Sequence, residues 1–210
     1  AAVATCVNSR LINSGQSCIA AKRFICTNRR VADVERLFTE MMAGKTMGDP
    51  LTRVDVGPQA RADLRDDLDR QVHASVGRGA RVLLGGQRPD GPGAFYPPTV
   101  LTDVRPGRPA HDEELFGPVA AIIAVGGEAD ALWVANDSLY GLGAAVFTRD
   151  VTRGTALAAG VLEAGNCFVN ALVRSDARLP FGGIKESGYG RELSVFGIRE
   201  FVNVKTVWVA

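Results

Sequence analysis

The sequence predicts an α/β fold, in which a mostly parallel, open sheet carries helices on both of its faces. Short apolar segments with strand character alternate along the chain with segments whose apolar residues recur at helical spacing. Residues 119–125 (VAAIIAV) are apolar throughout, as in the central strands of parallel sheets, which are buried on both faces. The 210 residues also suffice to enclose a sizeable hydrophobic core.

The first half of the chain is predicted to contain helices and strands in alternation. Residues 1–11 fit the end of a helix, and residues 31–45 place apolar side chains at helical spacing. Residues 60–80 form another amphipathic pattern, and Gly77 and Gly79 suit its C-terminal cap. The predicted strands cover residues 19–26, 81–86 and 99–104, and the glycine- and proline-containing stretches 47–58 and 85–98 are predicted as loops.

The second half of the chain continues the alternation at closer spacing. After the apolar strand come, in order, a helix at residues 128–137, a strand at 141–148, a helix at 151–165 and a strand at 166–172. The tail, residues 201–209 (FVNVKTVWV), alternates in the manner of a further strand. We therefore expect one α/β domain over residues 1–198, followed by a terminal strand within residues 199–210.

Charge and composition exclude several classes of partner and site. The formal net charge is +1, so the sequence carries no electrostatic footprint for nucleic acid or for an anionic membrane surface. No apolar run approaches the roughly 20 residues that a membrane-spanning helix needs. The four cysteines show no CxxC spacing and no neighbouring histidine pair, so neither a metal site nor a disulfide framework is expected. Free thiols in turn indicate a reducing, cytoplasmic location.

Cys18 is the cysteine whose sequence context differs from that of a packing residue. It follows the turn-forming residues 13–16 (NSGQ) and precedes a predicted strand, so its thiol can face a cleft. It is therefore a candidate nucleophile, and the alternative is a structural thiol in a loop. The other cysteines, Cys6, Cys26 and Cys167, stand in apolar segments and are expected to pack as small hydrophobic residues.

Four stretches, taken in order, resemble the signature of one enzyme family. They are NSGQSC at residues 13–18, EELFGPVAAI at 113–122, ANDSLYGLGAAVFT at 135–148 and PFGGIKESGYGRE at 180–192. Together they resemble the catalytic, C-terminal portion of the NAD(P)-dependent aldehyde dehydrogenase family, and the likeness extends over essentially the whole chain to the closing VKTVWV. Within that family the sequence is most similar to the bacterial succinate-semialdehyde dehydrogenases.

The resemblance implies that the function is aldehyde oxidation with NAD or NADP as the cofactor. Cys18, in the GQxC pattern, matches the nucleophile that attacks the aldehyde carbonyl to form a thiohemiacetal. The hydride then passes to the nicotinamide, and a glutamate activates the water that releases the acid. Glu114 and Phe116 match the pair that holds the nicotinamide ribose, and Phe181 matches a residue near the substrate mouth.

A carboxylated aldehyde such as succinate semialdehyde requires arginine or several hydroxyl and amide donors in its binding site. The loop NALVRSDARLPFGG lines the substrate entrance in the family, and it makes Arg174, Ser175 and Arg178 candidate ligands for that carboxylate. Arg10 is another candidate, and ordinary surface arginines are the alternative. Ile12 stands where some succinate-semialdehyde dehydrogenases carry an arginine, so that particular contact is not expected.

Parts of such an enzyme are missing from the 210 residues. The family's general-base glutamate lies in an ELGGK-type stretch, and the oxyanion asparagine and the nucleotide-binding domain lie further upstream. The chain also contains neither GxGxxG nor GxxxxGK followed by serine or threonine, the motifs that bind nucleotide phosphates. The expectation is a C-terminal portion of an enzyme of roughly twice this length, which by itself binds NAD poorly and does not turn over. The resemblance further implies a homodimer or homotetramer, with the terminal strand used in oligomerisation.

Three alternatives remain open. A cysteine hydrolase or acyltransferase would need a histidine beside Cys18, whereas His73 falls on a helix and His111 in a polar loop, where both are expected at the surface. A catalytically incomplete chain would serve as an assembly module, with its terminal strand pairing with the sheet edge of a partner. Within the leading family, the substrate would be another aldehyde, such as glutarate semialdehyde, an aminoaldehyde or an alkyl aldehyde.

Overall fold

Helices and strands alternate along the computed structural model, which describes residues 1–210. The helices are α1 (Ala2–Arg10), α2 (Val31–Ala43), α3 (Ala62–Gly77), α4 (Pro109–Asp112), α5 (Glu128–Asn136), α6 (Val151–Gly160) and α7 (Ser194–Arg199). The strands are β1 (Arg23–Thr27), β2 (Arg81–Leu84), β3 (Thr99–Thr102), β4 (Val119–Val125), β5 (Tyr140–Gly141), β6 (Gly143–Val146), β7 (Asn166–Val169) and β8 (Ile184–Lys185). No helix combines the length and the apolar character needed to cross a lipid bilayer.

The main sheet contains β1, β4, β3 and β2, in that order. β4 pairs in parallel with both of its neighbours, so that Ile123 lies opposite Ile25 and Ala120 lies opposite Val100. β2 pairs with β3 in the antiparallel sense. The prediction of a mostly parallel α/β sheet is therefore confirmed, and the apolar run at residues 119–125 is its strand β4.

Both faces of β4 are buried, because successive side chains of a strand point to opposite sides of the sheet. On one face, Ile123 and Val125 join a core with Leu68 and Val72 of α3. On the other face, Ile122 packs in a second core with side chains from α1 and α2. Full burial of each such side chain stabilises the fold by roughly 1.5–3 kcal/mol. Helices therefore cover both faces of the sheet, as predicted.

The chain after residue 137 departs from a single sheet. β6 and β7 form a parallel pair, β5 and β8 form an antiparallel pair, and neither pair is joined to the main sheet. The strand predicted at residues 141–148 is divided at Leu142, where the chain changes its pairing partner from β8 to β7. β6 and β7 remain only partly buried.

The last residues, 200–210, form no ladder within the chain, and their side chains are exposed. A strand requires a hydrogen-bonding neighbour, and the predicted terminal strand has none inside this chain. Its place in an oligomer interface therefore stays a prediction about an assembly. The preceding helix α7 was not anticipated from the sequence, since Gly197 in its short SVFGIR segment weakens the helical pattern.

Candidate active site

Cys18 lies in a turn between α1 and β1, and its side chain is exposed. The turn begins with three consecutive residues of left-handed backbone, residues 13–15, whose φ angles are 49°, 55° and 78°. Asparagine and glycine, which occupy two of these positions, tolerate that conformation better than most residues. The Ala20 backbone N–H then donates to the Ser17 carbonyl at 2.9 Å and closes the turn around the thiol. The strand predicted here consequently begins later than expected, at Arg23.

A neighbouring loop holds the Cys18 turn by three polar contacts. The Gly57 N–H donates to Ser14 Oγ at 3.0 Å, and the Ala60 N–H donates to Gln16 Oε1 at 2.7 Å. Gln16 Nε2 in turn donates to the Pro58 carbonyl at 3.4 Å. Gln16 of the GQxC pattern therefore acts as a structural residue that fixes the turn, a role that its sequence context alone does not reveal.

Gly15 brings the Cys18 turn into direct backbone contact with a second loop, residues 113–118 (EELFGP). A Cβ at Gly15 would lie 2.1 Å from the Gly117 carbonyl oxygen, well inside van der Waals contact. Gly117 is equally confined, because a Cβ there would lie 2.2 Å from Cδ2 of Leu68. The first two of the four family-like stretches therefore meet at this point, and the contact requires glycine at position 15.

The 113–118 loop presents Glu114 and Phe116 outward. Leu115 lies between them and is fully buried in the core, whereas Glu114 is exposed and Phe116 is 40% exposed. Only the backbone carbonyl of Glu114 takes part in a hydrogen bond, which it accepts from Gln71 Nε2 at 3.2 Å. The loop is thus anchored by its backbone and by Leu115, and the two predicted cofactor residues remain free to contact a ligand.

Arg10 connects the Cys18 turn and the 113–118 loop from inside the protein. The residue is 1% exposed, and its guanidinium donates to the carbonyl oxygens of Gly15 at 2.8 Å, Leu115 at 3.4 Å and Val119 at 3.5 Å. Burial lowers the pKa of Arg10 to about 10, and the nearby Glu114 carboxylate opposes that shift. Since this guanidinium is enclosed and both of its terminal amino groups donate to carbonyl oxygens, the suggestion that Arg10 binds a substrate carboxylate is wrong for this structure.

Lys22 reaches the same loop from the start of β1. Its Nζ donates to the Glu113 carbonyl and, at 3.5 Å, to the His111 carbonyl. Burial is the main cause that lowers the pKa of Lys22 to about 8, and the neighbouring Arg23 charge acts in the same direction. Sequence reasoning missed this contact, because a lysine before a strand is usually a solvated residue.

The candidate substrate-binding arginines lie in the segment before PFGG, and that segment forms no hydrogen bond with residues 10–20. Arg174 and Ser175 are exposed. Arg178 is exposed too, and its guanidinium pairs with the Asp176 carboxylate at 2.9 and 2.7 Å. This pairing lowers the pKa of Asp176 to about 2. Arg174 is therefore the arginine of this segment whose side chain is available to a ligand.

Phe181, expected near the substrate mouth, is largely buried at 8% exposed. Its backbone exchanges two hydrogen bonds with Glu192, at 2.9 and 2.7 Å. The following Gly182 carbonyl accepts a hydrogen bond from Asn166 Nδ2 at 2.9 Å. The ring of Phe181 is a packing residue in this structure, and its contact with a substrate stays a prediction.

The other three cysteines differ from Cys18 in their surroundings. Burial raises the pKa of the Cys6 and Cys26 thiols to about 11, and it also raises the pKa of Cys167. These thiols are therefore held in their neutral, unreactive form at neutral pH. Cys18 alone is exposed.

Neither histidine lies where it would activate Cys18. His73 is exposed on α3 and its ring Nδ1 lies 2.9 Å from the Asp69 carbonyl oxygen. His111, expected at the surface, is instead buried, with Nδ1 2.6 Å from Asp112 Oδ1. The prediction of a surface position for His111 is therefore wrong. The one-turn helix α4 packs its apolar residues into the core, and His111 is buried with them. No group of three or more His, Cys, Asp and Glu side chains is placed to hold a metal ion.

Comparison with protein-family models identifies the aldehyde dehydrogenase family, whose model matches residues 1–207. The NAD(P)+ succinate semialdehyde dehydrogenase of Escherichia coli strain K12 is 49% identical over 208 residues, which are 99% of this chain and 45% of that relative. The chain thus spans about half the length of the curated relatives that it matches.

Solved structures agree with this assignment of the family. The succinic semialdehyde dehydrogenase of Streptococcus pyogenes, solved with NADP+ as the cofactor, superimposes with a TM-score of 0.92 at 37% identity over 99% of this chain and 46% of that one. The lactaldehyde dehydrogenase of Escherichia coli superimposes with a TM-score of 0.94 at 32% identity, over 99% of this chain and 44% of that one. The fold is therefore common to enzymes named for different aldehydes.

Proposed function

Because the chain belongs to the aldehyde dehydrogenase family, we propose that it carries the thiol of an NAD(P)-dependent enzyme that oxidises succinate semialdehyde to its carboxylic acid. The observation that carries the proposal is the position of the exposed Cys18 thiol. Its turn is packed through Gly15 against the loop that presents Glu114 and Phe116. Cys18, the proposed nucleophile, and Glu114 and Phe116, the proposed cofactor ligands, therefore lie on two segments whose backbones touch.

Cys18 reacts as a thiolate in this proposal. Its Sγ attacks the aldehyde carbon, a C–S bond forms, and the carbonyl oxygen becomes the oxyanion of a thiohemiacetal. The Cys18 backbone N–H makes no hydrogen bond within the chain, so it is free to donate to that oxyanion. A bound nicotinamide cofactor, held by Glu114 and Phe116, would supply the acceptor for the hydride that leaves this carbon. Water then displaces the thiol from the resulting thioester and releases the acid.

Glu114 and Phe116 suit the sugar and ring of a nicotinamide nucleotide. The Glu114 carboxylate, which has no partner in the chain, can accept hydrogen bonds from two ribose hydroxyl groups. Phe116 offers an apolar surface beside it. Both side chains project from a loop that its backbone contacts and Leu115 hold in place, so little ordering is needed when the cofactor binds.

Succinate semialdehyde is the substrate that the relatives' names favour. Its carboxylate requires a cation or several donors, and the candidates are Arg174, Ser175 and Arg178, with Phe181 beside them. Arg178 is already paired with Asp176, whereas Arg174 is exposed and forms no ion pair. Arg174 is therefore the first of these residues to test.

A different aldehyde is the second candidate substrate. The specific observation in its favour is the lactaldehyde dehydrogenase structure, which matches this fold as closely as the succinic semialdehyde dehydrogenase structure does. The overall fold thus supports aldehyde oxidation, but it does not indicate which aldehyde is the substrate.

The proposal extends to assembly and location. Residues 199–210 would supply a strand to a homodimer or homotetramer, because their apolar side chains are exposed and have no partner within the chain. The four cysteines are all free thiols, which suits a reducing cytoplasm.

The test uses the complete natural polypeptide that contains these residues, assayed for NADH and NADPH formation. The substrates are succinate semialdehyde, glutarate semialdehyde and butyraldehyde. Cys18→Ala should lower kcat by about 10³-fold or more, since the nucleophile is removed. Cys167→Ala is the matched control, and we expect its activity to be preserved because burial raises the pKa of this thiol, which lies on β7 and not in the Cys18 turn.

The substrate assignment is tested with Arg174→Ala. We expect KM for succinate semialdehyde to rise by roughly tenfold, with butyraldehyde unaffected. Arg149→Ala, at an exposed position outside the segment, serves as its control. Unchanged activity in Cys18→Ala would overturn the mechanism, whereas equal rates with butyraldehyde would overturn only the choice of substrate.

A further inference from the structure

One buried and one partly buried cation bind the backbone of the loop that carries Glu114 and Phe116. Lys22 donates to the carbonyls of His111 and Glu113, and Arg10 donates to those of Leu115 and Val119. These contacts bracket the exposed side chains of Glu114 and Phe116 on both sides.

Arg10 also reaches the other half of the site. Its Nη2 donates to the Gly15 carbonyl at 2.8 Å, the shortest of its three contacts, and Gly15 stands three residues before Cys18. A single planar guanidinium, with donors in a fixed arrangement, therefore holds the Cys18 turn and the 113–118 loop at once.

We propose that Arg10 is a positioning residue, which sets the separation between the Cys18 thiol and the residues that would bind the cofactor. The inference rests on the proposed function and deepens it, since it says what keeps the thiol aligned with Glu114 and Phe116. The Gly15–Gly117 contact prevents the two backbones from approaching further, and Arg10 prevents them from separating.

The burial of Arg10 agrees with this role. An enclosed guanidinium is costly to desolvate, and an apolar side chain of similar volume would fill the same space without that cost. What the apolar side chain cannot do is donate to three separate carbonyl groups. The Cys18 turn and the 113–118 loop form no hydrogen bond with each other. Arg10 therefore fixes the distance between them, at the cost of its own desolvation.

The chain provides a matched control in Arg23. Its guanidinium also donates to three carbonyl groups, those of Val134, Ala135 and Asp137, at 2.9 to 3.0 Å. These carbonyls belong to the end of α5, on neither the Cys18 turn nor the 113–118 loop. Arg10→Met and Arg23→Met therefore remove the same number of hydrogen bonds from partly or fully buried arginines, but only one of them lies between the two loops.

The experiment compares Arg10→Met, Arg10→Lys and Arg23→Met in the complete natural polypeptide. In Arg10→Met we expect kcat/KM to fall by about 100-fold, since a misplacement of about 1 Å at a reacting group has this effect. Arg10→Lys should recover part of the loss, because an ammonium can reach one or two of the three carbonyls. Arg23→Met should keep kcat/KM within about twofold of the unmodified protein, because the carbonyl partners of Arg23 lie on neither loop.

Backbone hydrogen exchange gives a readout that does not depend on activity. In the Arg10 variants, amide exchange should accelerate by about tenfold in residues 13–18 and 113–118 together, with little change in β3 and β4. In Arg23→Met, acceleration should centre on the end of α5. A general loss of stability would instead accelerate exchange everywhere.

The proposal is overturned if folded Arg10→Met and Arg23→Met lose activity equally, or if the two loops exchange at their original rates without Arg10. If Arg10→Met does not fold, the same comparison is made with Arg10→Lys. If the unmodified protein oxidises no aldehyde, the proposed function fails, and the exchange pattern still decides whether Arg10 joins the two loops.

Discussion

Lys22 shows how the burial of one side chain makes stability depend on pH. Its pKa falls from 10.5 to about 8, mainly because the ammonium is removed from water. Between these two values the unfolded chain holds a proton that the folded chain has released. The unfolded state therefore binds more protons there, and the free energy of unfolding rises with pH.

We accordingly expect the unmodified protein to gain stability over Lys22→Met as the pH is raised from about 8 to 10.5. Below about pH 8 both states are protonated, and the difference should be flat. Urea unfolding at a series of pH values measures it, with Lys205→Met as the control because that side chain is exposed. A difference that shrinks as the pH rises would contradict the assignment.

At the scale of elements, the contact between the Cys18 turn and the 113–118 loop depends on the absence of a side chain. Gly15 has a φ of 78°, and any Cβ there would meet the Gly117 carbonyl. Strain at such a position costs about 1–3 kcal/mol before any displacement of the neighbouring backbone is counted. The position thus affects both folding and the placement of the thiol.

Gly15→Ala should therefore lower the free energy of unfolding by more than about 2 kcal/mol and reduce kcat, because the two loops are pushed apart. Gly77→Ala is the matched control, since no atom lies within 4 Å of a Cβ at that helical position. We expect Gly77→Ala to be neutral or stabilising by up to about 1 kcal/mol. Denaturant unfolding and initial rates provide the comparison, and equal stability of the two variants would refute the steric explanation.

Local patterns were enough to predict the main sheet and its helices. The apolar run of β4 identifies a strand buried on both faces, and the helical spacing in residues 31–45 and 60–80 identifies α2 and α3. The start of β1 was misplaced, because the turn around Cys18 depends on contacts with distant loops rather than on its own residues.

The candidate site was predictable only in part, for a related reason. The GQxC and EELFGP patterns pointed to Cys18, Glu114 and Phe116, and the structure brings their two loops together. Arg10 was misread, since the sequence of a helix end does not show whether an arginine turns inward. The burial of Arg10 follows from carbonyl groups about a hundred residues further along the chain.

At the scale of the whole molecule, the exposed tail, residues 200–210, carries apolar side chains that have no partner within the chain. Phe201 is 91% exposed and Trp208 is 87% exposed. Contiguous apolar side chains of this kind mark interaction surfaces. In the proposed homodimer or homotetramer, residues 200–210 would be covered by a second copy of the protein.

Deletion of residues 200–210 should therefore reduce the mass of the assembly, as measured by light scattering after size exclusion. The main sheet should be retained, since no strand of it pairs with the tail. Deletion of the exposed loop residues 87–93 would show whether shortening the chain elsewhere has the same effect. An unchanged mass after removal of the tail would exclude it from the interface.

The parallel pairing of β1 with β4 also has a consequence for synthesis on the ribosome. Arg23 of β1 is aligned with Ala121 of β4, and Arg10 finds its carbonyls at Leu115 and Val119. The segment bearing the thiol therefore leaves the ribosome long before the strand and loop that order it have been translated. Pairings of such long range form slowly, so the nascent chain displays Phe24 and its apolar neighbours at least until β4, about a hundred residues later, has been synthesised. During this interval, chaperones would shield these apolar side chains from aggregation.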